Sequence, residues 1–99
     1  VMALGLGGVW IEALKDVSLR VLPVSPAEVR RMVTELRGAS LLDGFRGATP
    51  VNLDELARMV SRIGDAALAL GDTLDTLEVN PLLAEGDRIE ALDALATYR

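Results

Sequence analysis

The chain has 99 residues, which is enough for one small domain with a single modest core. It contains no histidine and no cysteine, so histidine acid–base chemistry, thiolate metal sites, disulfides and cysteine nucleophiles are excluded within it. The net charge of −5 and the lack of a basic stripe argue against a nucleic-acid-binding domain. No apolar run approaches the roughly 20 residues that span a bilayer. Metal sites built from oxygen ligands are not excluded.

The first 22 residues predict short strands and a glycine-rich loop. Residues 1–4 are apolar and typical of the end of a strand, and Gly5-Leu6-Gly7-Gly8 follows as a loop. Residues 9–14 and 17–22 flank Lys15-Asp16 and predict a hairpin. The start lacks the basic region and cleavage site of a signal peptide, so we expect it to be cut from a longer chain.

The first helix is predicted to begin at Ser25-Pro26, with serine as the N-cap and proline at the first helical position. Apolar residues with helical spacing follow, and Gly38 marks the predicted end. The charged side chains between the apolar positions are expected to face solvent.

The second helix is predicted to begin at Asn52, after a loop over residues 41–50. Glu55 lies three residues further on, which is the spacing of a capping box. Gly71 marks the predicted end of this helix.

Residues 74–83 and 88–95 predict two strands joined by Gly86-Asp87, a favourable two-residue hairpin turn. With these two residues in the turn, Asn80 lies opposite Asp93, and directly opposed residues have Cβ atoms about 5 Å apart on one face. Glu78 lies on the same face, two residues before Asn80.

The predicted fold is therefore α+β, with the element order β-β-α-α-β-β. We expect an antiparallel or mixed sheet of about four strands with the two helices packed on it.

Two interpretations of the hairpin's polar residues stay open. The oxygen atoms of Asn80, Asp93 and Glu78 form the kind of cluster that Mg²⁺ prefers, with its other ligands from water and phosphate. Alternatively, these residues form a polar strand end that faces water. The pattern alone favours the second interpretation, because Asn–Asp pairs are common on protein surfaces.

Three further features each allow a binding role and a structural one. The loop with Gly7 and Gly8 lets backbone N–H groups approach an anion, or simply forms a tight turn. Glu12 on an apolar segment lies at a sheet edge or is held by a partner such as Arg20. Arg46, between two glycines, reaches a phosphate or anchors its loop.

Four segments, taken in order, resemble one known family. They are residues 1–17 with Gly-Leu-Gly-Gly-Val-Trp-Ile-Glu, residues 41–47 ending in Gly-Phe-Arg-Gly, residues 77–83 with Glu-Val-Asn-Pro-Leu, and residues 91–94 reading Ala-Leu-Asp-Ala. Together they resemble the C-terminal part of the ATP-grasp domain of ADP-forming acyl-CoA synthetases of the acetate–CoA ligase type. The succinyl-CoA synthetase β subunit is a more distant relative.

The resemblance implies that residues 1–99 are a partial ATP-grasp domain, its C-terminal subdomain, with the N-terminal nucleotide-binding part missing. It implies phosphoryl transfer between ATP or ADP and a phosphohistidine of another segment, and then an acyl phosphate that reacts with CoA.

The resemblance also implies roles for individual residues. It assigns Asn80 and Asp93 to Mg²⁺, which favours the ligand interpretation of the hairpin. It also implies that Gly7, Gly8 and Glu78 bind the nucleotide. Glu12 and Arg46 are expected to act in catalysis. The family often carries a basic residue two positions after the aspartate, where this chain has Leu95.

We therefore expect part of a cytoplasmic acid–thiol ligase that is inactive as an isolated fragment. Its expected partners are the nucleotide and the rest of the synthetase, with its CoA-binding and phosphohistidine segments, and no nucleic acid or membrane. Self-association of the fragment through surfaces left uncovered is also expected. The alternatives are a regulatory synthetase-like module of a bacterial protein acetyltransferase and a non-catalytic interaction domain.

Overall fold

A computed structural model describes residues 1–6, 16–44 and 47–99 of the chain. Within these ranges the fold is α+β, which confirms the predicted class. In chain order the elements are β1 (Met2–Gly5), β2 (Val17–Arg20), α1 (Pro26–Glu35), a 3-10 helix (Ala39–Asp43), α2 (Leu53–Ala69), β3 (Leu74–Val79), β4 (Leu82–Glu85), β5 (Arg88–Ala91) and β6 (Ala94–Tyr98).

The strands pair differently from the single sheet that the sequence predicts. In the described residues they form three antiparallel two-stranded sheets: β1 with β2, β3 with β6, and β4 with β5. β2 pairs with β1, with Met2 opposite Arg20. The segment 9–14, predicted as the partner of β2, lies outside the described residues, and its pairing stays a prediction.

Both helices begin where their capping residues predict. The Ser25 hydroxyl accepts a hydrogen bond from the Glu28 N–H at 3.2 Å, and Pro26 opens α1. The Asn52 side-chain oxygen accepts from the N–H groups of residues 54 and 55, at 3.1 and 3.2 Å. α1 ends at Glu35, three residues before the predicted Gly38. The Asp16 carboxylate accepts from the backbone N–H groups of residues 37 and 38, which satisfies donors ahead of the 3-10 helix.

The core lies between the two helices and the adjacent strands. Val29 and Met32 of α1 are fully buried, and Leu56 and Val60 of α2 pack with them in one cluster. Partly buried residues of the β4–β5 hairpin pack against the same cluster: Leu82, Ala84 and Ile89. The hairpin is therefore attached to the core along its β4–β5 portion.

Gly64 of α2 packs against side chains of β1 and of the segment after β2. A Cβ atom at this position would lie 2.8 Å from Leu22 Cδ2 and 3.0 Å from Met2 Cε. The missing side chain lets helix and strand pack closely, at a cost in helix propensity of about 1 kcal/mol relative to alanine.

The two long strands predicted at 74–83 and 88–95 are each divided in two. β3 and β4 are separated by Asn80-Pro81, and β5 and β6 by Leu92-Asp93. Proline has no N–H to donate, so the ladder of backbone hydrogen bonds is interrupted at Pro81. The turn is as predicted, with Glu85 opposite Arg88 and with Gly86 at φ +55°. A positive φ at the first turn residue is the conformation that glycine allows in two-residue hairpins.

Candidate functional site

The two halves of the long hairpin keep one register. Leu82 lies opposite Ala91 in the β4–β5 half, and Val79 lies opposite Ala94 in the β3–β6 half. Two residues lie between the halves on each strand. Because the number is the same on both strands, the register continues unchanged from one half to the other. The Asn80 N–H donates to the Asp93 carbonyl at 3.0 Å. The predicted pairing of Asn80 with Asp93 is therefore confirmed for the backbone.

Glu78 belongs to the same part of the hairpin. It lies opposite Leu95 in β6 and two residues before Asn80. The Asn80 amide nitrogen is 3.5 Å from Glu78 Oε1, at the outer limit of a hydrogen bond. Because the side-chain nitrogen of Asn80 faces Glu78, the side-chain oxygen of Asn80 points away from Glu78.

The chemistry of these three side chains fits a hard cation that is only partly held by protein. Glu78, Asn80 and Asp93 are all exposed. Among the described residues, the Asp93 carboxylate has no hydrogen-bond or salt-bridge partner. The same part of the chain holds no cluster of three or more His, Cys, Asp or Glu that would suit a metal. A site with two carboxylates and one amide suits Mg²⁺, which keeps several waters and takes ligands from phosphate.

Asn52 fixes the tip of the hairpin to the start of α2. Its backbone N–H donates to the Gly86 carbonyl at 2.7 Å, and its side-chain nitrogen donates to Asp87 Oδ1 at 2.7 Å. One residue thus caps a helix and holds the turn between β4 and β5. The capping pattern predicts the first role, but local sequence carries no signal for the second, because Asp87 is 35 positions away.

A charged network joins β2 to α1. Arg20 Nε lies 2.6 Å from Glu28 Oε1, and Arg20 Nη1 lies 3.1 Å from Glu35 Oε2. The Ser18 hydroxyl donates to Glu35 Oε2 at 2.7 Å. The prediction that the helix charges face solvent holds for Glu35, whose side chain is 49% exposed, but is wrong for Glu28, which is half-buried beside Arg20. The suggested partner Glu12 lies outside the described residues.

The hydrogen bonds of this network shift the acidity of its members. The bonds to Glu35 and then to Glu28 raise the pKa of Arg20. The Arg20 hydrogen bonds lower the pKa of Glu28 and of Glu35 below the ordinary value of 4.5. The network is charged at neutral pH and internally paired, which favours a structural role.

An open depression of about 700 Å³ lies beside this network. Its polar lining includes Arg20 and Glu28, which already bind each other, and Glu78, Asn80 and Asp93 are not part of it. Because the charged groups of the depression already bind each other, whereas the Asp93 carboxylate has no partner among the described residues, the hairpin is the stronger candidate for binding a cation.

The other predicted site residues are not among those that the structure describes. Gly7, Gly8 and Glu12 fall within 7–15, and Arg46 falls within 45–46. Their roles stay predictions. In the ranges that are described, no helix has the length and apolar character needed to cross a membrane.

Comparisons with known proteins agree with the fold and the motifs. A sequence model described as "ATP-grasp domain" matches residues 1–97. The β subunit of acetate–CoA ligase (ADP-forming) I from Pyrococcus furiosus is 39% identical over 90 residues, which cover 91% of this chain and 38% of that subunit. A trans-feruloyl-CoA synthase from an unknown prokaryotic organism is 36% identical over 97 residues, covering 96% of this chain and 14% of that protein.

Solved structures agree as well. Acetyl-coenzyme A synthetase 1 of Ca. Korarchaeum cryptofilum, described as dinucleotide forming, gives a TM-score of 0.88 at 33% identity, covering 98% of this chain and 45% of that one. That structure holds coenzyme A and Mg-AMPPCP, with a phosphohistidine segment pointing towards the nucleotide binding site. PH1788 from Pyrococcus horikoshii gives 0.85 at 25% identity, covering 98% and 41%. The present chain thus spans less than half the length of these relatives.

Proposed function

The chain belongs to the family of ATP-grasp domains, and we propose that it supplies the Mg²⁺–nucleotide phosphate site of a longer ADP-forming acyl-CoA synthetase. The observation that carries this proposal is the pairing of Asn80 with Asp93 across the hairpin, in a chain whose relatives are ADP-forming ligases.

The proposed cation ligands are the Asp93 carboxylate and the side-chain oxygen of Asn80. Bound there, Mg²⁺ would neutralise charge on the nucleotide phosphates, which is much of what phosphoryl transfer requires. Glu78 orients the Asn80 amide by accepting from its nitrogen, which leaves the amide oxygen to face the cation. The Asn80 N–H bond to the Asp93 carbonyl brings the two residues together across the hairpin, and we expect their side chains to share one face.

The remaining predicted residues complete this proposal. Backbone N–H groups at Gly7 and Gly8 would contact phosphate oxygens, and Glu12 and Arg46 would lie along the phosphate path. The phosphorylated histidine must come from another segment, because this chain has no histidine. The proposal places the whole protein among the cytoplasmic acid–thiol ligases, with ATP or ADP, CoA and the remaining synthetase segments as partners.

The relatives favour a synthetase over a regulatory module. The matched proteins named above are ligases and synthetases, including an acetate–CoA ligase and a feruloyl-CoA synthase. This supports the catalytic interpretation over the acetyltransferase-linked one.

The experiment that tests the proposal is a calorimetric titration of the full-length parent protein with a nonhydrolysable ATP analogue in the presence of Mg²⁺. We expect Asp93→Asn and Asn80→Ala to weaken Mg²⁺–nucleotide binding by at least about tenfold, a loss that is common even for residues one shell further out. Glu85→Ala is the matched control, because Glu85 is an exposed carboxylate on the same hairpin. Unchanged affinity in both site variants would remove these residues from the site.

A further inference from the structure

Asn52 is firmly attached to the core at the start of α2. Its two neighbours, Val51 and Leu53, pack against the core cluster. The Val51 N–H also donates to the Leu42 carbonyl at 2.8 Å, and the Asn52 side-chain oxygen caps the helix. Asn52 therefore has a fixed position relative to the core.

The turn of the β4–β5 hairpin is bound to this residue. The Gly86 carbonyl accepts from the Asn52 N–H, and Asp87 Oδ1 accepts from the Asn52 side-chain nitrogen, both at 2.7 Å. The loop before α2 lies close to the turn as well, since a Cβ atom at Gly86 would be 3.2 Å from Thr49 Cγ2. The bond to Asp87 needs a cap that also donates. Aspartate is an equally good cap, but its carboxylate has no donor at neutral pH.

The hairpin is also attached to the core in its middle. Leu82, Ala84 and Ile89 pack against the core cluster, and Ala84 lies opposite Ile89. Along the strand, Gly86 is two residues from Ala84 in one direction, and Asn80 is four residues away in the other. At about 3.3 Å per residue, these separations are roughly 7 Å and 13 Å. A small rotation of the hairpin about its packed middle therefore moves Asn80 about twice as far as it moves the turn.

We propose that Asn52 is a positioning residue for the cation site. This inference rests on the proposed function, because the site in question is that of Asn80 and Asp93. By holding the turn, Asn52 fixes the angle at which the hairpin presents these two residues, and it acts on the cation only through the hairpin. Mg²⁺ demands near-ideal octahedral geometry, so a small change in that angle weakens its binding.

The first test is the affinity of the full-length parent for a nonhydrolysable ATP analogue in the presence of Mg²⁺, measured by calorimetry well below the Tm of every variant. We expect Asn52→Asp to weaken binding by about three- to tenfold, as remote residues that modulate a site do. The double variant Asn52→Asp with Asp87→Asn should recover most of the affinity, because it restores an amide–carboxylate pair.

The matched control is Ser25→Ala. It removes the side-chain cap of the other helix, whose oxygen accepts from the Glu28 N–H, and it does not touch the hairpin. We expect this variant to lower the Tm, as Asn52→Asp does, but to bind the Mg²⁺–nucleotide complex as the wild type does. The comparison separates positioning of the site from a general loss of stability.

The second test needs neither Mg²⁺ nor nucleotide. The Asn80 N–H donates to the Asp93 carbonyl, so its hydrogen exchange reports how firmly the hairpin is held at the site. In the ligand-free parent protein we expect Asn80 to exchange faster in Asn52→Asp than in Ser25→Ala, and the double variant to return towards the wild-type rate.

The outcomes distinguish this inference from the proposed function when Asp93→Asn is titrated in the same way. A loss of affinity in Asp93→Asn with none in Asn52→Asp would overturn the positioning role alone, and so would a double variant as weak as the single one. Equal exchange of Asn80 in Asn52→Asp and Ser25→Ala would also overturn it. No loss in Asp93→Asn would overturn the proposed site and the positioning role together.

Discussion

Asn52 and Asp87 join the start of α2 to the tip of the hairpin that carries the proposed site, through a 2.7 Å hydrogen bond from the Asn52 amide to Asp87 Oδ1. The same asparagine caps the helix through its side-chain oxygen. The placement of the hairpin is therefore coupled to the N-terminus of α2 through the side chain of Asn52 as well as through its backbone N–H, which donates to the Gly86 carbonyl.

Replacing Asn52 by aspartate separates its role as a helix cap from its role in anchoring the hairpin. Asn52→Asp keeps a good N-cap, because aspartate caps helices as well as asparagine, but it sets two carboxylates against each other. We expect a loss of about 1–2 kcal/mol in the free energy of unfolding, from one hydrogen bond and a surface repulsion. Chemical denaturation measures this loss.

The double variant Asn52→Asp with Asp87→Asn is the control, because it restores an amide–carboxylate pair in the reverse direction. We expect it to recover most of the lost stability. If the single variant is as stable as the wild type, or if the double variant recovers nothing, the bond does not anchor the hairpin.

The Arg20 network predicts a pH dependence of stability. Arg20 lowers the pKa of Glu28 and of Glu35 in the folded state below their ordinary 4.5. A carboxylate with a lowered folded pKa stabilises the fold above its unfolded pKa, and this contribution is lost as the pH falls through the folded value. The wild type should therefore lose unfolding free energy as the pH falls from neutral to below 4.5. We expect Arg20→Gln to lose less over the same range.

The control for this prediction is Arg62→Gln, which removes an exposed arginine from α2. The decrease in its unfolding free energy at acid pH should match that of the wild type. Denaturation curves collected across the pH range give the comparison, and parallel curves for Arg20→Gln and the wild type would show that the network does not stabilise the fold.

The core predicts a large truncation effect at Met32. This side chain is fully buried between the helices, so Met32→Ala removes buried methylene groups and leaves a cavity. We expect a loss of about 2–5 kcal/mol. Leu41→Ala, at a residue that is 49% exposed, should cost far less. Similar thermal midpoints for the two variants would contradict the assignment of the core.

The isolated chain should bind nucleotide poorly. The proposed site is an open polar face with few protein ligands, and its relatives are more than twice as long. We expect calorimetry to detect far weaker ATP binding for residues 1–99 than for the full-length parent, and no thioester formation. ATP-dependent acyl-CoA synthesis by the 99 residues alone would contradict this expectation.

Features encoded locally were predictable from the sequence. Ser25 and Asn52 determine the helix starts, because a cap and the N–H groups it binds lie within three residues. The turn at Gly86-Asp87 determines the register, and the register determines that Asn80 meets Asp93. A long-range pairing was therefore predictable where a short turn fixed it.

Features that depend on distant partners were not predictable in this way. β2 pairs with β1, with Met2 opposite Arg20, a sequence separation too long for a two-residue turn to fix the register. Arg20 meets Glu28 and Glu35 because α1 packs across β2, so the pairing of these charges was not predicted. The interruption at Pro81 was a visible signal, since a proline without an N–H favours division of a strand.

The most direct test of the central claim is a crystal structure of the full-length parent with Mg²⁺ and a nonhydrolysable ATP analogue, with Mn²⁺ substitution to locate the cation by anomalous scattering. The account predicts a cation between the nucleotide phosphates and the hairpin, with oxygens of Asn80 and Asp93 at about 2.1 Å from Mg²⁺. A cation held by other residues, with Asn80 and Asp93 on different faces of the hairpin, would contradict it.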